Sequence, residues 1–400
     1  MKPPRLGLLP RIIIAIAAGI ILAQFFPDWL SRIFVTFNAI FSAFLGFLIP
    51  LLIVAFVAPA IADIGRGAGK MLVVTMAIAY FATICAGLLA YFTGDAFFPS
   101  MIKPGEYIAA IAGSTPPEPY FSIAIEPLMS VTTALVLAFL LGLGAAQLRT
   151  TAMRQWLEDL RSIITMAIYK VIIPLLPIYI FGIFLSMTAA GTVATILETF
   201  AKIIVVIFIL HIFLLVAQYL IASLFSRANP FRSLWTMMPA YFTALGTQSS
   251  AATIPVTLRQ TMAMGVNKDI AGFVIPLCAT IHMSGSTLKI VSCALALIIT
   301  LGHSYSFAMF MPFIAMLGIS IIAAPGVPGG AIMASLGILS SMLGFSDADN
   351  ALMIALYIAM DAFGTACNVT GDGAIALIVN RLFRSSYNTS DSRSAERLPE

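Results

Sequence analysis

The stretch DAFGTACNVTGDG, Asp361 to Gly373, sets two aspartates and an asparagine between the apolar runs ALMIALYIAM (351–360) and AIALIVN (374–380). The flanks read as membrane-spanning helix. A carboxylate at bilayer depth is costly unless it faces a partner or water, so such residues default to function. At about 100° per residue, Asn368 lies at about −20° from Asp361, Asp372 at about +20°, Thr365 at about +40° and Gly364 at about −60°. All these positions share one stripe, roughly 16 Å long at helical rise. A stripe of this kind lines a path or a site.

The composition agrees with a membrane location. The 400 residues are 60% hydrophobic and 10% charged, with mean hydropathy +1.03, as in a polytopic all-α membrane protein. The N-terminal stretch has the basic start and apolar core of a signal peptide, but apolar segments continue along the chain, and an uncleaved first span is expected. The net charge of +4 is read as positive-inside bias, not as a nucleic-acid signal. Cys85, Cys278, Cys293 and Cys367 sit in apolar runs without CxxC spacing and imply neither a disulfide nor a metal site. No GxSxG, HExxH or phosphate-binding glycine loop is present, which leaves an intramembrane enzyme as a remote alternative.

Segments long enough to span fall at 8–27, 33–62, 70–93, 125–147, 163–188, 198–225, 269–301 and 349–382. Lys2, Arg5, Arg11, Arg66, Lys70, Arg149, Arg154, Arg161, Arg227, Arg232, Arg381 and Arg384 cluster on alternate loops, so eight spans with both termini cytoplasmic satisfy the charge rule. The tail from Arg384 reads as disordered. Two stretches do not fit as simple spans. Residues 228–262 interrupt an apolar run with small polar residues between Arg232 and Arg259, and 304–345 is broken by AAPGVPGG, Ala323–Gly330. Proline and glycine interrupt a helix here, and irregular backbone at membrane depth survives only inside protein or along a cavity. Both stretches are expected to be re-entrant hairpins. Each is followed by a span that is itself broken, at ATIHMSGST (279–287) and at GTACNVTGD (364–372). Hairpin, span, hairpin, span is an inverted repeat, and matched interruptions point to a midplane substrate and ion site in a secondary transporter.

These segments resemble the dicarboxylate/amino acid:cation symporters, the glutamate-transporter homologues. GTQSSAATIPVT (Gly246–Thr257) is similar to that family's first hairpin tip and IPLCATIHMSGST (Ile275–Thr287) to its unwound seventh helix. APGVPGGAI (Ala324–Ile332) is similar to its second hairpin tip and DAFGTACNVTGDGAIALIVNR (Asp361–Arg381) to its eighth helix. The similarity runs over about 8–384, in the family's order. It implies an elevator-type homotrimer. Residues 1–64 and 98–190 would form the scaffold, 65–97 and 191–384 the transport domain, and 385–400 a tail. It also implies that Asp361 holds a substrate ammonium, and that Asn368, Thr365, Ser249 and Ser250 hold the carboxylate. Ser286, Gly326 and Gly364 are further substrate positions, and Val327 gates the site. Asp372 would ligate one sodium ion with carbonyls of Cys278, His282 and Asn368. A second would sit among carbonyls of Thr280, Ile321, Ile322 and Ala324, near the Met283 thioether.

Three departures refine the expectation. Acidic members carry arginine where this chain has Gly364, and often where it has Gln248. Without a guanidinium for a side-chain carboxylate, a neutral amino acid fits better, with space for its side chain over Gly364. The usual Asn-Met-Asp-Gly-Thr is His282-Met283-Ser284-Gly285-Ser286 here, which removes an anionic ligand, and 73–81 lacks the matching hydroxyl cluster although Thr75 is near. Two sodium sites are expected in place of three. His282 is open to three readings: a hydrogen-bonding prop, a carrier of a coupled proton, or a transition-metal ligand. Asp361 either binds substrate or pairs with Lys289. Asp372 is a cation ligand or a hydrogen-bond hub, Ser249 and Ser250 are substrate contacts or helix caps, and Tyr357 is a supporting donor. The expected function is sodium-coupled symport of a neutral amino acid, without cofactor, in a prokaryotic inner membrane. Proton-coupled transport of an amino acid or monocarboxylate is the alternative.

Overall fold

In hydrocarbon every backbone N–H and C=O needs a partner within its own segment or in protein, so an apolar chain of this kind folds as helices. The computed structural model describes residues 7–64, 70–102, 117–148, 150–322, 324 and 329–395, and among these every regular element is helical. In chain order they are α1 (Leu8–Leu22), α2 (Asp28–Ile64), α3 (Lys70–Met101), α4 (Val131–Gln147) and α5 (Ala152–Ala167). A π-turn at Ile168–Ile172 carries α5 into α6 (Ile173–Ala189), and α7 (Val193–Ser226) and α8 (Pro230–Thr236) follow. Then come α9 (Met238–Thr247), α10 (Ser250–Ala263), α11 (Lys268–Ile281), α12 (Ser284–Thr300) and α13 (Phe307–Ile322). The last are α14 (Gly330–Leu343), α15 (Asp347–Ala359) and α16 (Asp361–Ala395).

Among the described residues, six helical stretches are long and apolar enough to cross a membrane: 28–59, 70–101, 152–189, 193–226, 268–300 and 361–383. The expected first and fourth spans give shorter helices, of 15 and 17 residues. Pro27 biases the residue before it away from helix, and α4 starts only where Ser130 caps it by accepting from Thr133 N. The two expected hairpins are pairs of consecutive helices packed on each other. α9 and α10 meet at Gln248–Ser249. The other pair is α13 and α14; Gly326 and Val327, between them, lie outside the described residues.

Two expectations need correction. The break near the last motif falls at Met360, not inside 364–372, and α16 runs unbroken from Asp361. Isolated glycines cost about 1 kcal/mol each in a helix, and close packing offsets that here. The same helix continues to Ala395, past the expected disordered boundary at Arg384, since no glycine or proline interrupts 374–398.

Burial is graded across the bundle. The apolar window of 268–300 is wholly buried and that of 361–383 is 89% buried, against 28% for 70–101. The helices carrying polar residues are therefore the innermost. Outer helices expose large apolar side chains such as Phe81, Leu224 and Trp235, as lipid contact requires. α2 packs on α4, α5 and α6, and α1 on α6; α3, α7 and α9–α12 gather around α16 or its neighbours. Between these groups, α2 touches α13 and α14, and α15 touches α1 and α6.

At the centre of the bundle α12 approaches α16 closely. A Cβ on Gly285 would stand 2.7 Å from Cys367 Cβ and 2.8 Å from the Gly364 carbonyl. Gly285→Ala must separate two backbones, and we expect a loss of about 1–3 kcal/mol, read as a lowered unfolding temperature in detergent. An unchanged midpoint would mean that the two helices are not held at this distance.

Candidate functional site

Between α11 and α12, His282 is extended (φ −95°, ψ 104°) and Met283 is also non-helical. A helix start leaves its first N–H groups without intrahelical acceptors. α16 supplies the acceptor. Asn368 Oδ1 accepts from Gly285 N at 2.8 Å and from Ser286 N at 3.4 Å. Asn368 Nδ2 donates to Ser286 Oγ (3.0 Å) and toward Met283 Sδ (3.4 Å). Asn368 thus acts as an N-cap delivered from another helix, the role usually filled by the residue before the helix. On the upstream side, the Cys278 carbonyl accepts from His282 N at 2.9 Å.

One α16 turn further on, Asp372 Oδ1 meets His282 Nδ1 at 2.9 Å, with both side chains buried. The other ring nitrogen faces Gln218 Nε2 at 3.4 Å, and Gln218 also donates to Ser284 Oγ at 3.0 Å. His282 Nδ1 thus faces the Asp372 carboxylate while Nε2 faces the Gln218 amide. The residue joins α7 and α16 at the break before α12.

At the start of α16, Asp361 is engaged on both oxygens. Oδ1 lies 3.3 Å from Lys289 Nζ, and Oδ2 accepts from Gly329 N at 2.7 Å. Gly329 (φ +77°) precedes α14, so the carboxylate lies at a helix start where the dipole favours an anion. Lys289 Nζ also donates to the Met360 carbonyl at 3.3 Å and stands 3.6 Å from the Tyr357 ring centroid. Tyr357 in turn donates to Ser286 Oγ at 3.1 Å. The space over Gly364, expected to receive a ligand side chain, is taken by Lys289: a Cβ there would stand 2.6 Å from both Cε and Nζ. The broken segments lack an arginine, yet a buried cation is present.

The structure thus gathers Asp361, Gly364, Asn368, Asp372, His282, Met283, Ser286, Tyr357 and Lys289 along one helix crossing. Thr365 is buried on the same stripe. At the first hairpin, Ser249 Oγ caps α10 by accepting from Ala252 N (3.3 Å), and Ser250 is buried. The Thr280 side chain is exposed and donates to the Leu277 carbonyl. The Ile321 carbonyl accepts from Ala324 N at 3.0 Å, and α13, which ends at Ile322, packs against α11. The sequence reading missed Gln218 and Gly329. His211, whose Nε2 lies 3.1 Å from the Gly285 carbonyl, stands seven residues before Gln218, so the two share a face of α7. That pairing of polar residues in an apolar span was the available signal.

The family model of the sodium:dicarboxylate symporters matches residues 8–382. The serine/threonine transporter SstT of Acinetobacter baumannii strain AYE is 29% identical over 395 residues, covering 92% of this chain and 95% of that protein. The protein of the same name from strain SDF is 28% identical with the same coverage.

Removing the Asn368 cap leaves two buried N–H groups without acceptors. Asn368→Ala is expected to lower stability by about 2 kcal/mol or more. Thr370→Val removes a buried hydroxyl that has no partner and is expected to be neutral or stabilising. Thermal unfolding of both variants in the same detergent checks this, and equal losses would show that the cap carries no special weight.

Proposed function

The chain belongs to the sodium:dicarboxylate symporter family, and from that premise we propose that it carries a neutral amino acid across the membrane together with sodium. The family and its relatives bear the names of transporters, not enzymes. The observation that carries the reading is the buried stripe of Asp361, Asn368 and Asp372, in which Asn368 and Asp372 meet the break between α11 and α12 and Asp361 lies at the start of α14. An ammonium calls for an ionised acceptor, and a carboxylate for hydroxyl, amide or helix-start donors. Asp361 is the proposed acceptor for the ammonium, and Asn368, Thr365, Ser249, Ser250 and Ser286 the proposed donors to the carboxylate. Gly326 and Val327 are the proposed gate residues. Relatives named for serine and threonine support a small neutral substrate.

For the cation, the Asp372 carboxylate and the carbonyls of Cys278, His282 and Asn368 form an oxygen-rich set suited to sodium. The carbonyls of Thr280, Ile321, Ile322 and Ala324, with the Met283 thioether, form the second. In this reading the shorter α1 and α4 complete eight spans, and the pairs α9–α10 and α13–α14 are re-entrant. The group around α16 moves past the group around α2 like an elevator in each protomer of a trimer. The separate packing of those groups supports it. The expected setting is a prokaryotic inner membrane with both termini cytoplasmic.

A second reading, proton coupling, is favoured by the 2.9 Å contact of His282 with Asp372, since a cation at Asp372 competes with the imidazole. Uptake of labelled L-serine and L-threonine into proteoliposomes separates the two. We expect an inward sodium gradient to drive uptake and Asp372→Asn to reduce it about tenfold or more, the scale of one lost charged ligand. Uptake driven by a proton gradient alone, and lost in His282→Asn, would establish the second reading. No uptake under either gradient would overturn the amino acid reading.

A further inference from the structure

Lys289 is fully buried on the second turn of α12, and its ammonium crosses the stripe at Gly364, the position that carries no side chain. Its ion pair with Asp361, at 3.3 Å, makes this part of the site neutral as a whole. Neither partner is tolerated alone in a dry interior. That condition restricts what enters. A cation binding Asp361 by itself strands Lys289, and an anion binding Lys289 by itself strands Asp361. A zwitterion brings both signs in one molecule, so it opens the internal pair and rebuilds it as two.

Of the carboxylate donors proposed above, Asn368 is already occupied. Asn368 Nδ2 is engaged by Ser286 Oγ and Met283 Sδ, and Oδ1 holds the start of α12. Asp361, by contrast, keeps its second oxygen on Gly329 N at 2.7 Å and exchanges only the lysine. Tyr357, 3.6 Å below Nζ, offers a ring face that follows a cation through a small displacement.

We propose that Lys289 is a substrate-binding residue: its ammonium leaves Asp361 to take the substrate carboxylate while the substrate ammonium takes its place, so the site selects zwitterions over singly charged analogues. Lys289 then holds the carboxylate end and Asp361 the ammonium end, with Gly364 providing the clearance between them. This rests on the amino acid reading given above.

The test is titration calorimetry on the purified full chain in sodium chloride, with L-serine, ethanolamine (no carboxylate) and glycerate (no ammonium). The wild type is expected to bind L-serine about 10- to 100-fold more tightly than either analogue, the range of one charged hydrogen bond. Lys289→Met is expected to lose about that factor for L-serine while ethanolamine binds as well as before or better. Lys289→Arg keeps the preference for the zwitterion. L-serine binding to Lys289→Met as tightly as to the wild type, or more tightly, would overturn the proposal and leave Lys289 as a mere competitor for Asp361. Should the variant fail to fold, the wild type alone decides, because equal affinity for L-serine and either analogue also overturns it. A wild type that binds no amino acid at all sinks the underlying amino acid reading instead, and does so before any substitution is made.

Discussion

A helix that stops and restarts inside an apolar interior leaves peptide groups that water cannot reach. Each buried N–H without an acceptor costs about 1–3 kcal/mol, and the start of α12 presents two in succession, at Gly285 and Ser286. Asn368 on α16 accepts both. The break between α11 and α12 and the polar stripe on α16 are thus one device, since each supplies what the other lacks. Gly285 has to be small because α16, whose Asn368 side chain is the acceptor, lies at contact distance. The immersion of both elements in the centre of the bundle follows, because a break in contact with lipid would have no protein partners.

The charges obey the same rule. Asp361 and Asp372 do not stand free: one is matched by Lys289 and a helix-start N–H, the other by His282. A buried pair of this kind is weak as a source of stability, because desolvation offsets much of the attraction. It is well suited to exchange. A ligand that supplies an equivalent partner replaces an internal contact at small net change, whereas a ligand lacking one leaves a charge stranded. Selectivity in such a site comes from the pairing requirement more than from the shape of a pocket.

The scaffold around this crossing is apolar and faces outward. Long side chains on α3, α7 and α8 are exposed while α12 is buried on all sides. Contacts between the α2 group and the α16 group run through α13, α14 and α15 and through α6 against α7. Asp361 holds the residue that opens α14, so the state of the ion pair and the placement of that helix are mechanically joined.

Much was legible in the sequence by itself. Hydropathy and helical spacing sufficed to identify helices, the interruptions at Gln248–Ser249 and His282–Met283 and the stripe of Asp361, Asn368 and Asp372, because these are set by local periodicity and by small and polar residues in apolar runs. The end of α1 before Pro27 has the same origin. The tertiary structure decided the rest. Whether Asp361 faces a ligand or Lys289 depends on side chains 72 residues apart, and the space over Gly364 is filled by a lysine from another helix. Gln218 reaches His282 across 64 residues. The break at Met360, rather than within the glycine-rich motif, likewise reflects packing of α16 against α12, which carries the helix past residues whose intrinsic propensity would have ended it. Local rules choose conformations; only the assembled interior decides which buried polar groups meet, because there each one must find a partner.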